Sequence, residues 1–423
     1  MAHTVQIAKN LSNEKIYKTY KYRILPTEDQ AELFKKTFGC CRFVFNKILA
    51  LKIEHYEKTG KYLQEKDCLQ YYSKILKKEF PWLKEVDSRG PQLAISFLEI
   101  AYTNFFLKKK NYPRFKSKKY SKQSYTTLQN HADRETQGIM IDFNKNAIKL
   151  PKAGWVKAIL SKTFAGDIKR ATIILSPSGK WFCYLMVEIN NHKKIISTNS
   201  IGIDLGLKSY LTFSTGEKIE NPHFLKKYQS KITKLQKKLN RQQRGSQNYK
   251  KTKIKIAKAY ERVKNQRLDF LHKLSFRIIS ENQTICTESL DILQMLEKSN
   301  RELNCQIFDA SWYEFTRQLE YKSKWYHRQY IKINTYFPSS QICSCCGAQI
   351  KSLKNLKIRK WTCPYCLTTH DRDINAAKNI LKEGIQNVGR GTPEFKLVEA
   401  KITKPMKQET EVYQVNTPSG EIK

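Results

Sequence analysis

Two Cys-x-x-Cys pairs constrain the fold of this chain more than any other feature of its sequence. Cys343 and Cys346 form the first pair, Cys363 and Cys366 form the second, and 16 residues separate the pairs. This spacing is typical of a zinc ribbon, in which two tight turns present four thiolates to one tetrahedral ion. Four thiolates leave no open position on the metal, so the pattern predicts a structural zinc site. The alternative is four unrelated buried cysteines.

The seven remaining cysteines lack the spacing of metal ligands. Cys345 lies inside the first pair, where it either competes for the metal or points away from it; we favour the second interpretation. Apolar neighbours favour small core residues for the other six. These six are Cys40, Cys41, Cys68, Cys183, Cys286 and Cys305.

The charge of the chain indicates the class of its partner. The 423 residues include 78 Lys and Arg against 38 Asp and Glu, which gives a formal net charge of +40. An excess of this size favours a polyanion, and we interpret it as nucleic acid rather than an acidic membrane surface, because no amphipathic anchor is visible. The lysine bias of an AT-rich genome is the other explanation, although it does not account for the scarcity of acids.

Length and composition bound the architecture. A chain of 423 residues predicts two or three domains with packed cores. No stretch reaches the ~18 uncharged apolar residues of a membrane helix. The first 30 residues lack the apolar core of a secretory signal. Eleven cysteines are too few for a disulfide scaffold, so we expect an intracellular protein.

Hydrophobic periodicity predicts different architectures for the two halves of the chain. In the first half, strands are predicted at 18–25, 124–129, 140–143, 147–150, 170–175 and 181–189, with helical periodicity between 27 and 110. This order indicates a β-barrel-like module with a helical insertion. In the second half, strands at 201–206, 211–213, 284–287 and 330–336 alternate with helices at 222–282, 311–329 and 373–381. Alternation of this kind is typical of an α/β nuclease core.

Three acids stand at or near the ends of predicted elements. They are Asp204 in Gly-Ile-Asp-Leu-Gly, Glu288 in Ile-Cys-Thr-Glu-Ser and Asp373 in His-Asp-Arg-Asp-Ile-Asn. An acid on an apolar strand costs desolvation energy unless it binds a cation or a partner. Three converging acids could hold two divalent ions ~4 Å apart, for hydrolysis of a phosphodiester. The alternative is that each acid is an ordinary cap or ion-pair member, and sequence spacing alone does not decide.

The order of these motifs resembles that of the TnpB (OrfB) family. The resemblance runs from about residue 18 to 395, and its most specific part is the four-cysteine ribbon followed by Asp-Arg-Asp-Ile-Asn-Ala-Ala-Lys-Asn-Ile at 371–380. Similar stretches also occur as Tyr-Arg-Ile-Leu-Pro-Thr at 22–27, Gly-Cys-Cys-Arg-Phe-Val-Phe-Asn at 39–46, Tyr-Pro-Arg-Phe-Lys-Ser at 112–117, Trp-Tyr-His-Arg at 325–328 and Phe-Pro-Ser-Ser-Gln-Ile-Cys at 337–343. Members of the family are transposon-encoded, RNA-guided DNA endonucleases related to the type V CRISPR effectors.

The resemblance implies a role for each acid. Asp204, Glu288 and Asp373 match the three RuvC acids, which would be catalytic and would bind Mg²⁺ or Mn²⁺. Asp373 matches the family better than Asp371, because the catalytic acid of the family directly precedes x-Asn-Ala-Ala. Asp371 would instead orient Arg372 or cap the following helix. The four ribbon cysteines match the zinc-binding segment. The partners implied are a guide RNA from the transposon end and a double-stranded DNA target, in the cytoplasm of a prokaryote, at the nucleoid.

The resemblance also implies a domain layout and fold class. We expect an α/β multi-domain protein with a β-barrel wedge domain at 1–26 and 122–195 and a helical recognition insert at 27–121. An RNase H-like RuvC nuclease core is expected at 196–390, with the zinc ribbon at 341–368 and a flexible tail at 391–423. One position departs from the family pattern: Leu367 follows Cys366 where Gly is usual, which questions the turn but not its ligands.

Two basic stretches are candidates for nucleic-acid contact. Residues 226–258 hold 13 Lys or Arg and no acid, and 108–122 hold 8 with interleaved aromatics, which suits phosphate contact plus stacking. The candidates in these stretches are Lys116, Lys118, Lys119, Lys237, Lys238, Arg241 and Arg244. The alternatives are a solvated helical hairpin and a basic linker. His370, beside the acids, is a metal neighbour or a turn residue, and we favour the turn.

Three rival functions remain open at this point. The first is an RNA-guided regulator that binds DNA without cutting it, against which the complete set of three acids argues. The second is a transposase that joins strands itself, for which no Tyr or Ser nucleophile motif stands out. The third is an RNA-binding or ribosome-binding zinc-ribbon protein, which would not need the three acids.

Overall fold

The chain folds into two compact units, seen in a computed structural model that describes residues 15–130, 138–189, 197–355 and 357–389. The first unit comprises Met1–Ile195, His223–Leu274 and Lys324–His327. The second unit comprises Ile196–Pro222, Ser275–Ser323 and Arg328–Lys423. The tail predicted at 391–423 lies outside the described residues. The predicted boundaries of the wedge, insert and nuclease domains stay a prediction.

The elements follow the sequence-based order, with additions. The strands are β1 (Ile16–Leu25), β2 (Ser124–Leu128), β3 (Met140–Asp142), β4 (Ala147–Leu150), β5 (Gly154–Ile159), β6 (Asp167–Leu175), β7 (Trp181–Ile189), β8 (Ser200–Leu205), β9 (Ser209–Phe213), β10 (Lys218–Glu220), β11 (Thr284–Glu288), β12 (Gln329–Ile333), β13 (Lys360–Thr362) and β14 (Thr369–Asp371). The helices are α1 (Glu28–Thr59), α2 (Glu65–Tyr71), α3 (Arg89–Phe106), α4 (Phe224–Asn240), α5 (Gln247–Glu281), α6 (Ile292–Glu297), α7 (Arg301–Ala310), α8 (Trp312–Trp325) and α9 (Arg372–Gly389). The elements not predicted from the sequence are β5, β10, β13, β14, α6 and α7.

The first unit contains a seven-stranded antiparallel sheet in the order β2-β6-β7-β1-β5-β4-β3. Helices α1 and α3 pack on each other and on β2, as the predicted helical insertion requires. Helix α1 begins where the sequence indicates, because Thr27 and Gln30 form a capping box in which each side chain accepts the other's backbone N–H. The core between helices and sheet includes Phe34, which contacts the ring of Trp181.

The predicted barrel is an open sheet in the residues that the structure describes. Strands β2 and β3 stand at its two edges and are not paired with each other there. A side-chain bridge nevertheless links their ends, because Gln129 Oε1 accepts the Ile139 N–H at 2.6 Å. The sheet is therefore half of a barrel whose edges approach at one end.

The second unit contains a five-stranded sheet in the order β10-β9-β8-β11-β12. Strands β8, β9 and β10 form an antiparallel meander, whereas β11 runs parallel to both β8 and β12. Helix α9 crosses the sheet and packs on β8, β9, β11 and β12. Its contact with the strands is apolar and includes Ile380 against Cys286 and Ile333.

Two glycines allow α9 to lie unusually close to the sheet. A Cβ atom on Gly202 of β8 would overlap the carbonyl oxygen of Ala377 and lie 2.8 Å from Leu381. A Cβ atom on Gly384 of α9 would overlap the side chain of Cys286 in β11. Side chains at both positions would push the helix away from the strands, so these glycines set the depth of α9.

The long basic helices form the predicted hairpin. Helices α4 and α5 are separated by a short connection that contains Gly245 in a left-handed conformation (φ +89°). Ile232 is buried, and Leu225, Leu235 and Leu239 are half-buried. The two helices contact each other where the rings of Phe224 and Phe270 meet, in agreement with a stripe that packs between helices. Within the described residues, no helix has the length and apolar content needed to cross a lipid bilayer.

Candidate active site and cysteine cluster

The register of β8 and β11 makes Asp204 and Glu288 neighbours. Thr287 of β11 lies opposite Ile203 of β8, so one step further along this parallel pair Glu288 is level with Asp204. Adjacent strands are ~4.8 Å apart, and residues two apart on a strand share a face. Gly202 faces α9, so Asp204 projects on the face that α9 covers, and Glu288 does the same.

Asp373 reaches the same place from the helix. It is the second residue of α9, and this helix runs across β8 and β11 with Ala377 over Gly202. The N-terminal turn of α9 therefore projects toward the end of β8 that carries Asp204. The sequence predicted a helix from 373 to 381, and the structure extends it to Gly389.

Electrostatics indicate that the three acids share one site. Burial raises the pKa of Asp204 well above its ordinary value, and the nearby carboxylates of Glu288 and Asp373 raise it further. The guanidinium groups of Arg372 and Arg359 oppose this shift. Burial also raises the pKa of Glu288, although a hydrogen bond from Ser339 works in the opposite direction. Buried like charges of this kind are the environment that a bound cation relieves.

Two basic side chains contact Asp373, and the sequence analysis named neither. Arg359 lies 3.2 Å from Asp373 Oδ1 and is half exposed. Lys218 lies 3.8 Å from Asp373 Oδ2 and pairs with both oxygens of Asp371, at 2.8 and 2.9 Å. The sequence shows only that Arg359 and Lys218 are basic, and this does not distinguish them from the other Lys and Arg residues among the 78 in the chain.

Asp371 caps α9, which confirms one of its two predicted roles. Its Oδ1 accepts the backbone N–H groups of Asp373 (3.1 Å) and Ile374 (3.2 Å), as an N-cap residue does. Arg372 instead points into the loops before the helix, where it donates to the carbonyl oxygen of Asn355 at 2.7 Å. Asp371 is therefore committed to the helix and to Lys218.

The four predicted ribbon cysteines converge. Their sulfur atoms all lie within 4.8 Å of one another. The Sγ atoms of Cys343 and Cys366 are 3.6 Å apart, as are those of Cys346 and Cys363. Tetrahedral zinc with Zn–S bonds of ~2.3 Å requires sulfur atoms ~3.8 Å apart, so the cluster fits this ion. Among the described residues, the carboxylate oxygens of the three acids do not all lie as close together as these four sulfur atoms.

The two ribbon turns repeat the same hydrogen bonds. In the first, Gly347 N–H donates to Cys343 O and Cys343 N–H donates to Ala348 O, both at 2.9 Å. In the second, Leu367 N–H donates to Cys363 O and Cys363 N–H donates to Thr368 O, both at 2.9 Å. Both turns place the residue after the cysteine pair in the left-handed region, with φ +80° for Gly347 and φ +58° for Leu367. The turn therefore forms with Leu367 at the position where the family usually has Gly, although a residue with a side chain is strained in this conformation.

This strain gives a testable prediction. Leu367 is 76% exposed, so its side chain contributes little burial to offset the left-handed backbone. We expect Leu367→Gly to stabilise the zinc-bound ribbon by about 1 kcal/mol, which slows zinc transfer to a competing chelator about fivefold. Leu367→Ala keeps a Cβ atom and should leave the transfer rate unchanged. Equal rates for the two variants would contradict the strain argument.

His370 is not a turn residue, which corrects the interpretation favoured from sequence. It lies in β14, opposite Trp361 of β13, and its ring packs on that indole with centroids 4.6 Å apart. Its Nε2 is 3.1 Å from Cys343 Sγ, so it is a neighbour of the cysteine cluster. No local pattern indicates this contact, because 27 residues separate the two side chains.

The other cysteine predictions are largely confirmed. Cys345 is not among the four cysteines whose sulfur atoms converge, in agreement with a side chain that points away from the cluster. Five of the six predicted core cysteines are buried. Cys305 is exposed on α7, so the prediction of a core position was wrong for this residue. The buried residues of this short helix are Ile307, Asp309 and Ala310, so Cys305 lies on the side that faces solvent.

The basic candidates fall in two settings. Lys237, Lys238, Arg241 and Arg244 are exposed on and after α4, and the first three line a shallow depression together with Lys234 and Gln242. Lys118 and Lys119 are exposed after α3. Lys116 is more constrained: its ammonium lies 3.6 Å from the centroid of the Phe45 ring, and its backbone is bonded on both sides by Asn46.

Three family models match this chain. One described as "Probable transposase" matches residues 182–299, and one described as "Cas12f1-like, TNB domain" matches 312–380. A third, described as "Helix-turn-helix domain", matches 16–61, where the structure has strand β1 followed by the single long helix α1.

Relatives of similar length match nearly the whole chain. A protein from Streptomyces pristinaespiralis named "Putative RNA-guided DNA endonuclease" is 35% identical over 378 residues, covering 88% of this chain and 90% of the relative. InsQ of Escherichia coli K12, which carries the same description, is 31% identical, covering 86% of this chain and 92% of the relative. A Cas12f1 chain solved with single-guide RNA and target DNA is similar in fold, with a TM-score of 0.57 at 14% identity, covering 86% of this chain and 98% of that chain.

Proposed function

This chain belongs to the TnpB (OrfB) family, and on that premise we propose that it is the RNA-guided DNA endonuclease of an insertion sequence. The observation that carries the proposal is the convergence of Asp204, Glu288 and Asp373 at one end of the β8–β11 pair, under the N-terminus of α9. The order of the five-stranded sheet supports an RNase H-like RuvC core. Through the cleavage of DNA, such an enzyme serves transposition and maintenance of its element, at the nucleoid in the prokaryotic cytoplasm.

The three acids are suited to hold divalent ions. Carboxylate oxygens are the ligands that Mg²⁺ and Mn²⁺ prefer, and the raised pKa of half-buried Asp204 marks charge that a cation would neutralise. Bound there, two such ions would activate a water molecule and stabilise the leaving oxygen of a phosphodiester.

The remaining side chains orient these ligands. Ser339 donates to Glu288 Oε1 at 2.6 Å and so fixes the orientation of that carboxylate. Asp371 caps α9 and pairs with Lys218 through both oxygens. Asp373 meets Lys218 only at 3.8 Å and otherwise contacts the half-exposed Arg359, so we assign Asp373 as the ligand from this helix. Half-exposed Arg359 beside Asp373 is placed to contact a phosphate oxygen of the DNA.

The cysteine cluster would hold one structural zinc ion. The spacing of the four sulfur atoms fits tetrahedral coordination with no position left for substrate. Zinc requires all four sulfur atoms as thiolates, so binding of the ion would release the protons that the cysteines carry. We assign the ribbon a structural role beside the acids.

A guide RNA and a double-stranded DNA are the proposed partners. The α4–α5 hairpin presents the basic cluster of Lys237, Lys238, Arg241 and Arg244, and Lys116, Lys118 and Lys119 follow α3. Phosphate contacts of this kind hold a duplex without reading its sequence, which the guide would read instead. An RNA-guided regulator that binds without cutting is the alternative, and the shared acid site argues against it.

Neutralising the α4 cluster tests its role. We expect replacement of Lys237, Lys238, Arg241 and Arg244 by Gln to weaken binding to guide RNA and to lower the salt dependence of log K by about 0.7–0.9 for each phosphate that the protein no longer neutralises. Fluorescence anisotropy at several salt concentrations measures both quantities. The matched control removes four exposed lysines from the α1–α3 region, namely Lys35, Lys66, Lys78 and Lys84. Equal salt slopes for the two variants would contradict a specific role for the α4 cluster.

The function itself is tested by purification and reprogramming. Expressed with its element, the protein should copurify with one defined RNA from the transposon end. A new guide sequence in that RNA should redirect Mg²⁺-dependent cutting to the matching DNA. Recovery of random cellular RNA, or cutting that ignores the guide sequence, would overturn the proposal.

A further inference from the structure

A single short segment connects the acid site to the cysteine cluster. At one end of it, Ser339 Oγ donates to Glu288 Oε1 at 2.6 Å. Four residues later comes Cys343, the first sulfur of the cluster. Ser339 and Cys343 are both buried, so the segment runs through the interior of the second unit. The segment 339–344 is therefore shared by the two sites.

Two buried asparagines on α9 hold this segment. The Asn375 side chain accepts the Ser344 N–H at 2.8 Å and donates to Ile342 O at 2.7 Å. The Asn379 side chain donates to Ser339 O at 2.8 Å and to Ile342 O at 2.6 Å. Both side chains are almost fully buried, with relative exposures of 1% and 3%. Leaving such a buried amide or carbonyl without its partner is costly, so these four bonds fix the segment against the helix.

The same helix carries the third acid. Asn375 and Asn379 follow Asp373 by two and six residues, so they and the acid move with α9 as one rigid element. The strand before the helix adds a further link, because His370 Nε2 contacts Cys343 Sγ at 3.1 Å and Asp371 caps α9. Displacement of Cys343 must therefore disturb Ser339, α9, or both.

We infer that metal ions at the two sites raise each other's affinity, and that Ser339, Asn375 and Asn379 are the positioning residues that couple them. The inference rests on the proposed function for the presence of the acid-site ions. Zinc would fix the position of Cys343 and, with it, segment 339–344. The fixed segment would hold Ser339 against Glu288, and its bonds to Asn375 and Asn379 would hold α9 in the position that presents Asp373. Coupling between two sites is reciprocal and usually amounts to about 5- to 150-fold in affinity.

Manganese binding to the full chain, without RNA or DNA, tests the coupling. Free Mn²⁺ is counted by its electron paramagnetic resonance signal in titrations of zinc-loaded and zinc-depleted protein, and Asp204→Asn protein identifies the fraction bound at the acids. We expect zinc depletion to weaken Mn²⁺ binding at the acid site at least fivefold. Reciprocally, saturating Mn²⁺ should slow zinc transfer to a chelator by a similar factor. Mn²⁺ affinity that is independent of zinc would overturn the inference.

Variants separate coupling from folding. Asn379→Ala leaves all four cysteines in place, so it should retain zinc while its Mn²⁺ affinity no longer responds to zinc. Ser339→Ala removes only the hydrogen bond to Glu288 and decides the question if Asn379→Ala does not fold. The control is Asn387→Ala, which lies on α9 and donates to Glu383 instead of the segment. A full zinc response in Asn379→Ala or Ser339→Ala would contradict the assigned roles.

The outcome also separates this inference from the proposed function. Mn²⁺ binding that is lost in Asp204→Asn but unaffected by zinc would overturn only the coupling. Absence of Mn²⁺ binding to the acids of the wild-type protein would overturn the proposed metal site and the coupling together.

Discussion

The Asp204→Asn variant should cut guide-matched DNA at least ~10³-fold more slowly than the wild-type protein, because it replaces a carboxylate ligand shared by the proposed metal ions with a neutral amide. The rate is measured in a single-turnover cleavage assay with purified protein–RNA complex. Binding of guide RNA should be unchanged, since the substitution leaves the basic surfaces intact.

The same substitution should stabilise the protein when no divalent ion is added. Burial raises the pKa of Asp204, and the charges of Glu288 and Asp373 raise it further, so at pH values above the pKa of the unfolded chain this carboxyl group lowers the free energy of unfolding. Asparagine has nearly the same shape and no charge. We expect a higher melting temperature for Asp204→Asn without Mg²⁺, and a stabilisation by Mg²⁺ that only the wild-type protein shows.

An isosteric control is available in the same unit. Asp291 is exposed and caps α6 through its side chain, a role that asparagine fills equally well. Asp291→Asn should therefore leave both the cleavage rate and the melting temperature unchanged. Guided cutting by Asp204→Asn at the wild-type rate would remove Asp204 from the mechanism.

Loss of one ribbon cysteine should abolish zinc binding. Cys363 is fully buried, and its sulfur lies 3.6 Å from that of Cys346. We expect Cys363→Ser protein to contain almost no zinc by atomic emission, because structural zinc sites depend on all four ligands. Hydrogen exchange should rise across β13 and β14, whose residues surround the cluster, and should not change in β1 or β7.

The ribbon offers its own control for this prediction. Cys345 belongs to the same turn as Cys343 and Cys346, yet its sulfur atom is not part of the cluster. Cys345→Ser should keep the full zinc content and wild-type hydrogen exchange. Zinc retention by Cys363→Ser, or zinc loss from Cys345→Ser, would show that a different set of sulfur atoms binds the metal.

The sequence was most informative where one residue type has few physical uses. Four cysteines at ribbon spacing have few other uses, so residue type and spacing alone identified the cluster. The same reasoning left each acid open to an ordinary role as a cap or ion-pair member, and the resemblance to the TnpB family selected Asp204, Glu288 and Asp373. Long periodic segments such as α1 and α5 were equally readable, since their apolar positions repeat over many turns. Strand β10 and helix α6 were missed because three and six residues are too short to show a period.

Contacts across long stretches of sequence could not be predicted. The strand pairing that makes Glu288 level with Asp204 joins residues more than 80 positions apart, and it follows from sheet register rather than from any local pattern. Asn375 and Asn379 look like ordinary polar residues of an amphipathic helix. Their role is visible only once segment 339–344 lies against α9.

The close packing of α9 has a consequence for protein synthesis. The chain emerges from the ribosome with its N-terminal side first, so Asp204 and Glu288 are present long before Asp373 and the helix that covers both strands. Gly202 and Cys286 stay uncovered until residues 372–389 have been made, and the acid site is incomplete until then. We therefore expect a chain that ends before residue 372 to be unable to cut DNA, because it lacks Asp373 of the proposed site and the helix that covers both strands.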